Sequence, residues 1–141
     1  MERGMRQGIQ STIANDELRT YGCYFFCILR QVEIEHHLEF DDRMVIILFE
    51  ECKRKGFIDD MCFIKNPVAV ANRAMSAGIN NHYTKIEAPE NPPDKDTFTV
   101  CLKKPMYTHF VLSHKGQIWD SLDSKRPGAV GYAPASYRVI S

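Results

Sequence analysis

One cysteine stands where a buried helix would begin. Cys23 follows Gly22 and opens a strongly apolar run that continues to Leu29. At a helix N-terminus, the free backbone N–H groups and the positive end of the dipole favour a thiolate over a thiol. Because the thiolate is the nucleophilic form of cysteine, Cys23 is a candidate catalytic nucleophile. Cys27 lies one turn further into the apolar run and is predicted to be a core residue.

Two side chains far along the chain could activate such a thiol. His109 opens the strand-like run that ends at Leu112, and Asp120 follows Trp119. A histidine can take the thiol proton, and a carboxylate can orient the imidazole. The sequence therefore predicts His109 as the base and Asp120 as the orienting group, with Asp123 as the alternative carboxylate. The structural alternatives are an inert buried thiol, an ordinary strand histidine and a turn-capping aspartate.

A tight turn decides whether the histidine and the carboxylate can meet. If Lys115-Gly116 is a two-residue hairpin turn, Leu112 pairs with Trp119, and His109 and Asp120 share one face as diagonal neighbours. Such neighbours lie about 7–8 Å apart at Cα, within reach of a carboxylate and an imidazole. A loop longer or shorter by one residue would place them on opposite faces. The opposite face carries apolar residues that predict a core layer.

The elements that must position these residues change in kind along the chain. Helices are predicted from Cys23 to about Leu38, from Met44 to Lys55, and from Pro67 through Met75 to a stop at Gly78. Alternating strand patterns follow at 83–87, 97–102, 108–113, 117–121 and 137–140. Residues 1–20 are polar and weakly patterned, which predicts an irregular lead-in. This order favours an α+β fold, with N-terminal helices followed by an antiparallel β-sheet.

Length and charge limit the class of protein. A chain of 141 residues fits one domain, 1–141, with a core of its own. Its 18 basic and 18 acidic side chains cancel, which disfavours nucleic acid as a partner. No run approaches the roughly 20 apolar residues of a membrane span, and the N-terminal residues lack the apolar core of a signal peptide. We therefore expect a cytoplasmic protein that does not bind membranes, as a monomer or small homo-oligomer.

The cysteine pattern argues against cross-links and metals. The five cysteines are odd in number and include no C-x-x-C pair, which favours reduced thiols in a reducing compartment. The spacings typical of zinc ligands are also missing. The sequence thus predicts neither a metal site nor a cofactor.

The order of these elements resembles the papain-like cysteine peptidase superfamily. Its compact members are the most similar, namely the bacteriocin leader-peptide (double-glycine) peptidases and related uncharacterised phage and plasmid families. The resemblance rests on the cysteine-bearing helix, on the segment from His109 through Gly116 to Ser121, and on the 86 positions between Cys23 and His109. It covers the chain from about residue 17 onward. It implies a papain-like fold, a Cys23-His109-Asp120 triad and a peptide or protein substrate.

The sequence departs from that pattern on the oxyanion side. These peptidases usually carry a glutamine six residues before the cysteine, and Glu17 stands there instead. An ionised carboxylate cannot donate a hydrogen bond to an oxyanion. We therefore expect Glu17 to point away from Cys23, and Asn15, ahead of Gln10, to serve as the second catalytic donor. The Cys-Gly-Pro continuation is replaced by Cys23-Tyr24-Phe25.

Two functions remain open at this level. One is a thiol hydrolase that cleaves a peptide or amide bond. The other is a catalytically weak or inactive papain-like module that binds or inhibits a protein, such as a phage-encoded factor. The replacement of the oxyanion glutamine by Glu17 is compatible with the second.

Overall fold

Helices precede strands along the chain. The computed structural model describes residues 4–75, 82–122 and 131–141. The helices are α1 (Ile9–Thr12), α2 (Asp16–Tyr21), α3 (Cys23–His36), α4 (Asp42–Arg54) and α5 (Pro67–Ala74). The strands are β1 (Ile86–Glu87), β2 (Thr97–Lys104), β3 (Tyr107–His114), β4 (Gln117–Trp119) and β5 (Ala133–Ile140). The predicted α+β class, with helices followed by an antiparallel sheet, is confirmed.

Helix α3 is the central helix, and a glycine sets its starting point. All residues from Phe25 to Glu33 are buried, as expected for a helix that is apolar on most sides. Helix α2 ends at Gly22, and α3 begins at the next residue. A Cβ at Gly22 would lie 2.5 Å from the Leu18 carbonyl oxygen and 3.0 Å from the Phe26 ring. Only glycine therefore permits this close junction, which places Cys23 in the first turn of α3.

The five strands form one antiparallel sheet in the order β1-β5-β2-β3-β4. The β3–β4 hairpin turns at Lys115 and Gly116, whose φ angles are 50° and 80°. Left-handed backbone at both central positions is what a two-residue hairpin turn requires. Leu112 pairs with Trp119, so the predicted register is confirmed.

The core lies between α3 and the sheet. Leu112 and Trp119 are buried and belong to the main apolar cluster, together with the inner residues of the helices. Tyr24 of α3 stacks on Phe110 of β3, with ring centroids 4.7 Å apart. This packing confirms the predicted core layer of the hairpin and sets the first turn of α3 beside β3.

The prediction of an irregular lead-in was wrong. Residues 4–21 contain α1 and α2, and they bury four apolar side chains, Met5, Ile9, Ile13 and Leu18. These residues recur about every fourth position, which brings them to one side of short helical turns. Their burial anchors the lead-in against the core despite its polar composition.

The other helices agree with the predicted ones to within a few residues at their ends. Asp41 and Asn66 cap α4 and α5 by accepting hydrogen bonds from the N–H groups of Met44 and Ala69, as N-cap residues do. The predicted stop at Gly78 lies outside the described residues. Across the described ranges, none of the helices has the length and apolar character needed to cross a bilayer.

Candidate active site

Cys23 is the one cysteine in the first turn of α3. Its side chain is half-buried. The first hydrogen bond at this end of the helix runs from the Phe26 N–H to the Gly22 carbonyl, at 2.9 Å. The N–H groups of residues 23–25 precede that bond, as the leading N–H groups of every helix do. Cys23 therefore lies beside backbone donors that can stabilise negative charge.

His109 connects this thiol to a carboxylate. Its Nε2 lies 2.7 Å from Asp120 Oδ1, and both side chains are buried. With Nε2 engaged by Asp120, Nδ1 is the ring nitrogen that remains for Cys23. Burial opposes a charge on the ring, but hydrogen bonds to Asp120 and Cys23 prevail and raise the pKa of His109 to about 9. The imidazolium form is thus stabilised from both sides.

Asp120 is held in place by its own turn and by the lead-in. Its Oδ1 also accepts a hydrogen bond from the Leu122 N–H at 2.9 Å. The Asp120 N–H donates to Gln7 Oε1 at 3.3 Å, and its carbonyl accepts from the Gly8 N–H at 3.1 Å. These contacts restrict the carboxylate to one orientation toward His109. The alternative carboxylate, Asp123, lies outside the described residues.

Gln10, which the sequence analysis considered after Asn15 as the second oxyanion donor, and Ser121, which it did not consider, are positioning residues. The Ser121 hydroxyl donates to Gln10 Oε1 at 2.7 Å, and the Gln10 N–H donates to the Ser121 carbonyl at 2.8 Å. Gln10 Nε2 donates to the Arg19 carbonyl at 3.1 Å. Gln10 is 1% exposed and joins the residue after Asp120 to the helix that precedes Cys23. The sequence signal for the burial of Gln10 was its position next to Ile9, one of the apolar residues that recur about every fourth position in the lead-in.

Asn15 is not brought to the other three predicted site residues. Its Oδ1 accepts the Leu18 N–H at 3.0 Å and caps α2, while its Nδ2 donates to Glu50 at 3.3 Å. An asparagine followed by Asp16 and Glu17 is typical of a helix N-terminus. The cap uses the Oδ1 of Asn15, and the contact with Glu50 uses its Nδ2.

Glu17 is also engaged by other side chains. Its carboxylate accepts hydrogen bonds from Lys53 Nζ at 2.7 and 2.8 Å and from Cys62 Sγ at 3.2 Å. The hydrogen bond from Lys53, followed by that from Cys62, lowers the pKa of Glu17. The negative charge at the position of the usual glutamine is therefore paired with an ammonium group.

Three of the four other cysteines are more buried than Cys23, and Cys62 is half-buried as Cys23 is. All five cysteines are free thiols. Cys27, Cys52 and Cys101 are buried in the core, which confirms the prediction for Cys27. Burial raises the pKa of Cys27 well above its usual value and that of Cys52 to about 11. Among the described residues, no group of three His, Cys, Asp or Glu side chains could hold a metal ion.

These features define an α+β domain with a buried His–Asp pair and a helix N-terminal thiol that helps to raise the pKa of the histidine. The chain matches the family described as "Protein of unknown function, DUF261" over residues 5–140, and it belongs to that family. No curated protein and no solved structure matches the chain.

Proposed function

We propose that this protein is a thiol hydrolase that cleaves a peptide or related amide bond, with Cys23 as nucleophile, His109 as base and Asp120 as orienting group. One observation carries the proposal: the buried His109 is hydrogen-bonded to Asp120, and its interaction with Cys23 helps to raise the pKa of the imidazole. A nucleophile, a base and an orienting group within hydrogen-bond reach of one another are the arrangement that covalent catalysis requires. The same arrangement supports placing the chain among papain-like peptidases.

The proposed reaction has two halves. The Cys23 thiolate attacks the substrate carbonyl carbon, the C–N bond breaks, and the His109 imidazolium gives its proton to the leaving amine. A water molecule then gives a proton to His109 and attacks the thioester carbon. The C–S bond breaks, the carboxylic acid leaves, and the Cys23 thiolate and the His109 imidazolium are restored.

The oxyanion needs donors at the place where its charge develops. We assign the Cys23 N–H as the first donor, because it leads the first turn of α3. Both ends of the Asn15 side chain have other partners. We therefore assign the second donor to an adjacent backbone N–H group of the same turn. The Lys53–Glu17 pair reduces the repulsion that a lone carboxylate would exert there.

The test is the rate at which iodoacetamide alkylates Cys23 at pH 7, measured by peptide mass spectrometry. His109→Gln should slow the reaction by at least about 10²-fold, the lower end of what a positioned base contributes. The matched control is His114→Gln, because His114 lies on the same strand and contacts Thr97 at 2.6 Å instead. The control should react as the parent does.

Hydrolysis is measured in parallel with a library of internally quenched peptides. Cleavage should require both Cys23 and His109, and Cys23→Ala should abolish it. A Cys23 that reacts equally fast with and without His109 would contradict the proposal.

The competing function is that of a module that binds or inhibits another protein and is catalytically weak or inactive. The observation that favours it is Glu17 at the position of the usual oxyanion glutamine, fixed to Lys53 and Cys62. An alkylatable, His109-dependent Cys23 that cleaves no peptide in the library would favour this function.

A further inference from the structure

A cavity of about 260 Å³ opens beside the Cys23 side chain. It lies between the first turn of α3, the segment that joins α4 to α5, and the sheet. Its walls include Tyr24 and Phe49 from the helices, Ile64 from the joining segment and Phe110 from β3. Because the reacting thiol forms part of the wall, whatever fills this cavity lies next to the proposed scissile bond.

The walls of the cavity favour an apolar occupant. Most of the lining side chains are aromatic or aliphatic, and among the described lining residues Arg138 is the one with a permanent charge. Arg138 Nη1 donates to Ser136 and to the Tyr137 carbonyl, both at 3.0 Å. A guanidinium at the wall repels a cationic group, so lysine and arginine side chains are disfavoured.

The size indicates one side chain and not a whole ligand. Sites that enclose drug-sized molecules have volumes of about 300–1,000 Å³, and this cavity is smaller. Two of its wall residues are also large, apolar and strongly exposed: Tyr21 at 61% and Phe63 at 68%. Neighbouring Met61 is 82% exposed. Exposed apolar groups that cluster around one opening mark a binding site.

We propose that this cavity is the specificity pocket of the enzyme and that it takes an aromatic or branched aliphatic side chain next to the bond that Cys23 attacks. This inference rests on the proposed thiol hydrolase function. It narrows the peptide or protein substrate that the resemblance implies and excludes a double-glycine peptide, because glycine has no side chain to fill the cavity.

The test compares two alkylating reagents at Cys23 of the full chain. Iodoacetamide and N-benzyl iodoacetamide share one reactive group, and only the second carries a ring for the cavity. After division by the rates for N-acetylcysteine, the benzyl reagent should react at least about tenfold faster and show saturation. Even one methylene in an apolar pocket is worth about 10–200-fold in discrimination. A reagent with an N-(2-aminoethyl) group should show no such gain.

Two variants locate the effect. Phe63→Ala removes an exposed part of the wall and should reduce the ratio of the benzyl rate to the iodoacetamide rate by at least threefold. Tyr107→Ala is the matched control, because Tyr107 is similarly exposed, at 63%, and does not line the cavity. It should preserve the preference.

The outcomes separate the two proposals. A Cys23 that reacts with iodoacetamide in a His109-dependent manner but shows no benzyl preference would overturn the specificity pocket alone. A preference that survives Phe63→Ala unchanged would also overturn it. A Cys23 that reacts with neither reagent would overturn the hydrolase and the pocket together.

Discussion

Two thiols one turn apart on α3 have different surroundings. Cys23 is half-buried, lines a cavity and helps to raise the pKa of His109. Cys27 is fully buried in the core, and burial raises its pKa well above the usual value. The residue type and the helix are the same for both. The chemistry of each thiol is therefore decided by the turn on which it lies and by the strand that faces it.

The first turn of a buried helix has two advantages for a nucleophile. It adjoins backbone donors without partners inside the helix, and it lies at the edge of the core, where a substrate can approach. The second turn has neither. A cysteine in the interior of α3 contributes to packing, whereas a cysteine at its start can react.

The largest expected difference is in native alkylation. Cys23 should react on the order of 10³-fold faster than Cys27, because a fully buried thiol reacts only after the structure opens, at a free-energy cost that can approach that of global unfolding, about 5–15 kcal/mol. Time-resolved peptide mass spectrometry gives both rates in one sample. In guanidinium chloride the two rates should converge within a few-fold. Equal rates in the native protein would mean that the turn on which each cysteine lies does not decide its reactivity.

Gly22→Ala should shift Cys23 while leaving Cys27 in the core. The added Cβ meets the Leu18 carbonyl at 2.5 Å, so we expect a loss of about 1–3 kcal/mol in the free energy of unfolding and slower alkylation of Cys23. Urea unfolding and the alkylation assay measure the two effects.

Gly56→Ala separates crowding from backbone preference. Nothing lies within 4 Å of a Cβ at Gly56, but its φ is 80°, so it reports the cost of left-handed backbone. This control should leave Cys23 reactivity as it is. If both variants slowed Cys23 alike, the close junction between α2 and α3 would not be what positions the thiol.

The smallest expected effect is the pH dependence of stability that comes from His109. Its pKa is raised to about 9 from the usual value of about 6.5. Its contribution is therefore complete below about pH 6.5 and is lost as pH rises through 9. Asp120→Asn removes the carboxylate charge that stabilises the imidazolium. The free energy of unfolding of the parent, minus that of the variant, should therefore fall by on the order of 1 kcal/mol between pH 6.5 and 9.

The matched control for this measurement is Asp16→Asn. Asp16 pairs with Arg19 at the surface and its side chain is 92% exposed, so it should add little pH dependence between pH 6.5 and 9. A flat difference between the parent and Asp120→Asn would mean that Asp120 does not stabilise the charged imidazole.

The hairpin and the central helix could be predicted from the sequence because their signals are local. Lys115-Gly116 specifies the turn, and the turn specifies which residues share a face with His109. The apolar run after Gly22 likewise specifies a buried helix from Cys23. In both cases, neighbouring residues carry all the information.

The lead-in could not be predicted in the same way. Helices α1 and α2 have four and six residues, too short to be stable on their own. They form because their apolar side chains reach a core made by the rest of the chain. Asn15 shows the consequence. Nearness along the chain suggested an oxyanion donor, but its place ahead of Asp16-Glu17 made it a helix cap.

The contacts of the lead-in have a consequence for biosynthesis. Met5 contacts Trp119 through a hydrogen bond across 114 positions, and Gln10 contacts Ser121 across 111. Contacts of such high sequence separation form late in folding. While a ribosome is still making the sheet, the helices cannot complete their partnerships, and Cys23 has neither His109 nor Asp120 beside it. The Cys23 thiol therefore meets His109 and Asp120 only after Asp120 has emerged from the ribosome. Through most of translation, the nascent chain lacks the two residues that activate this thiol.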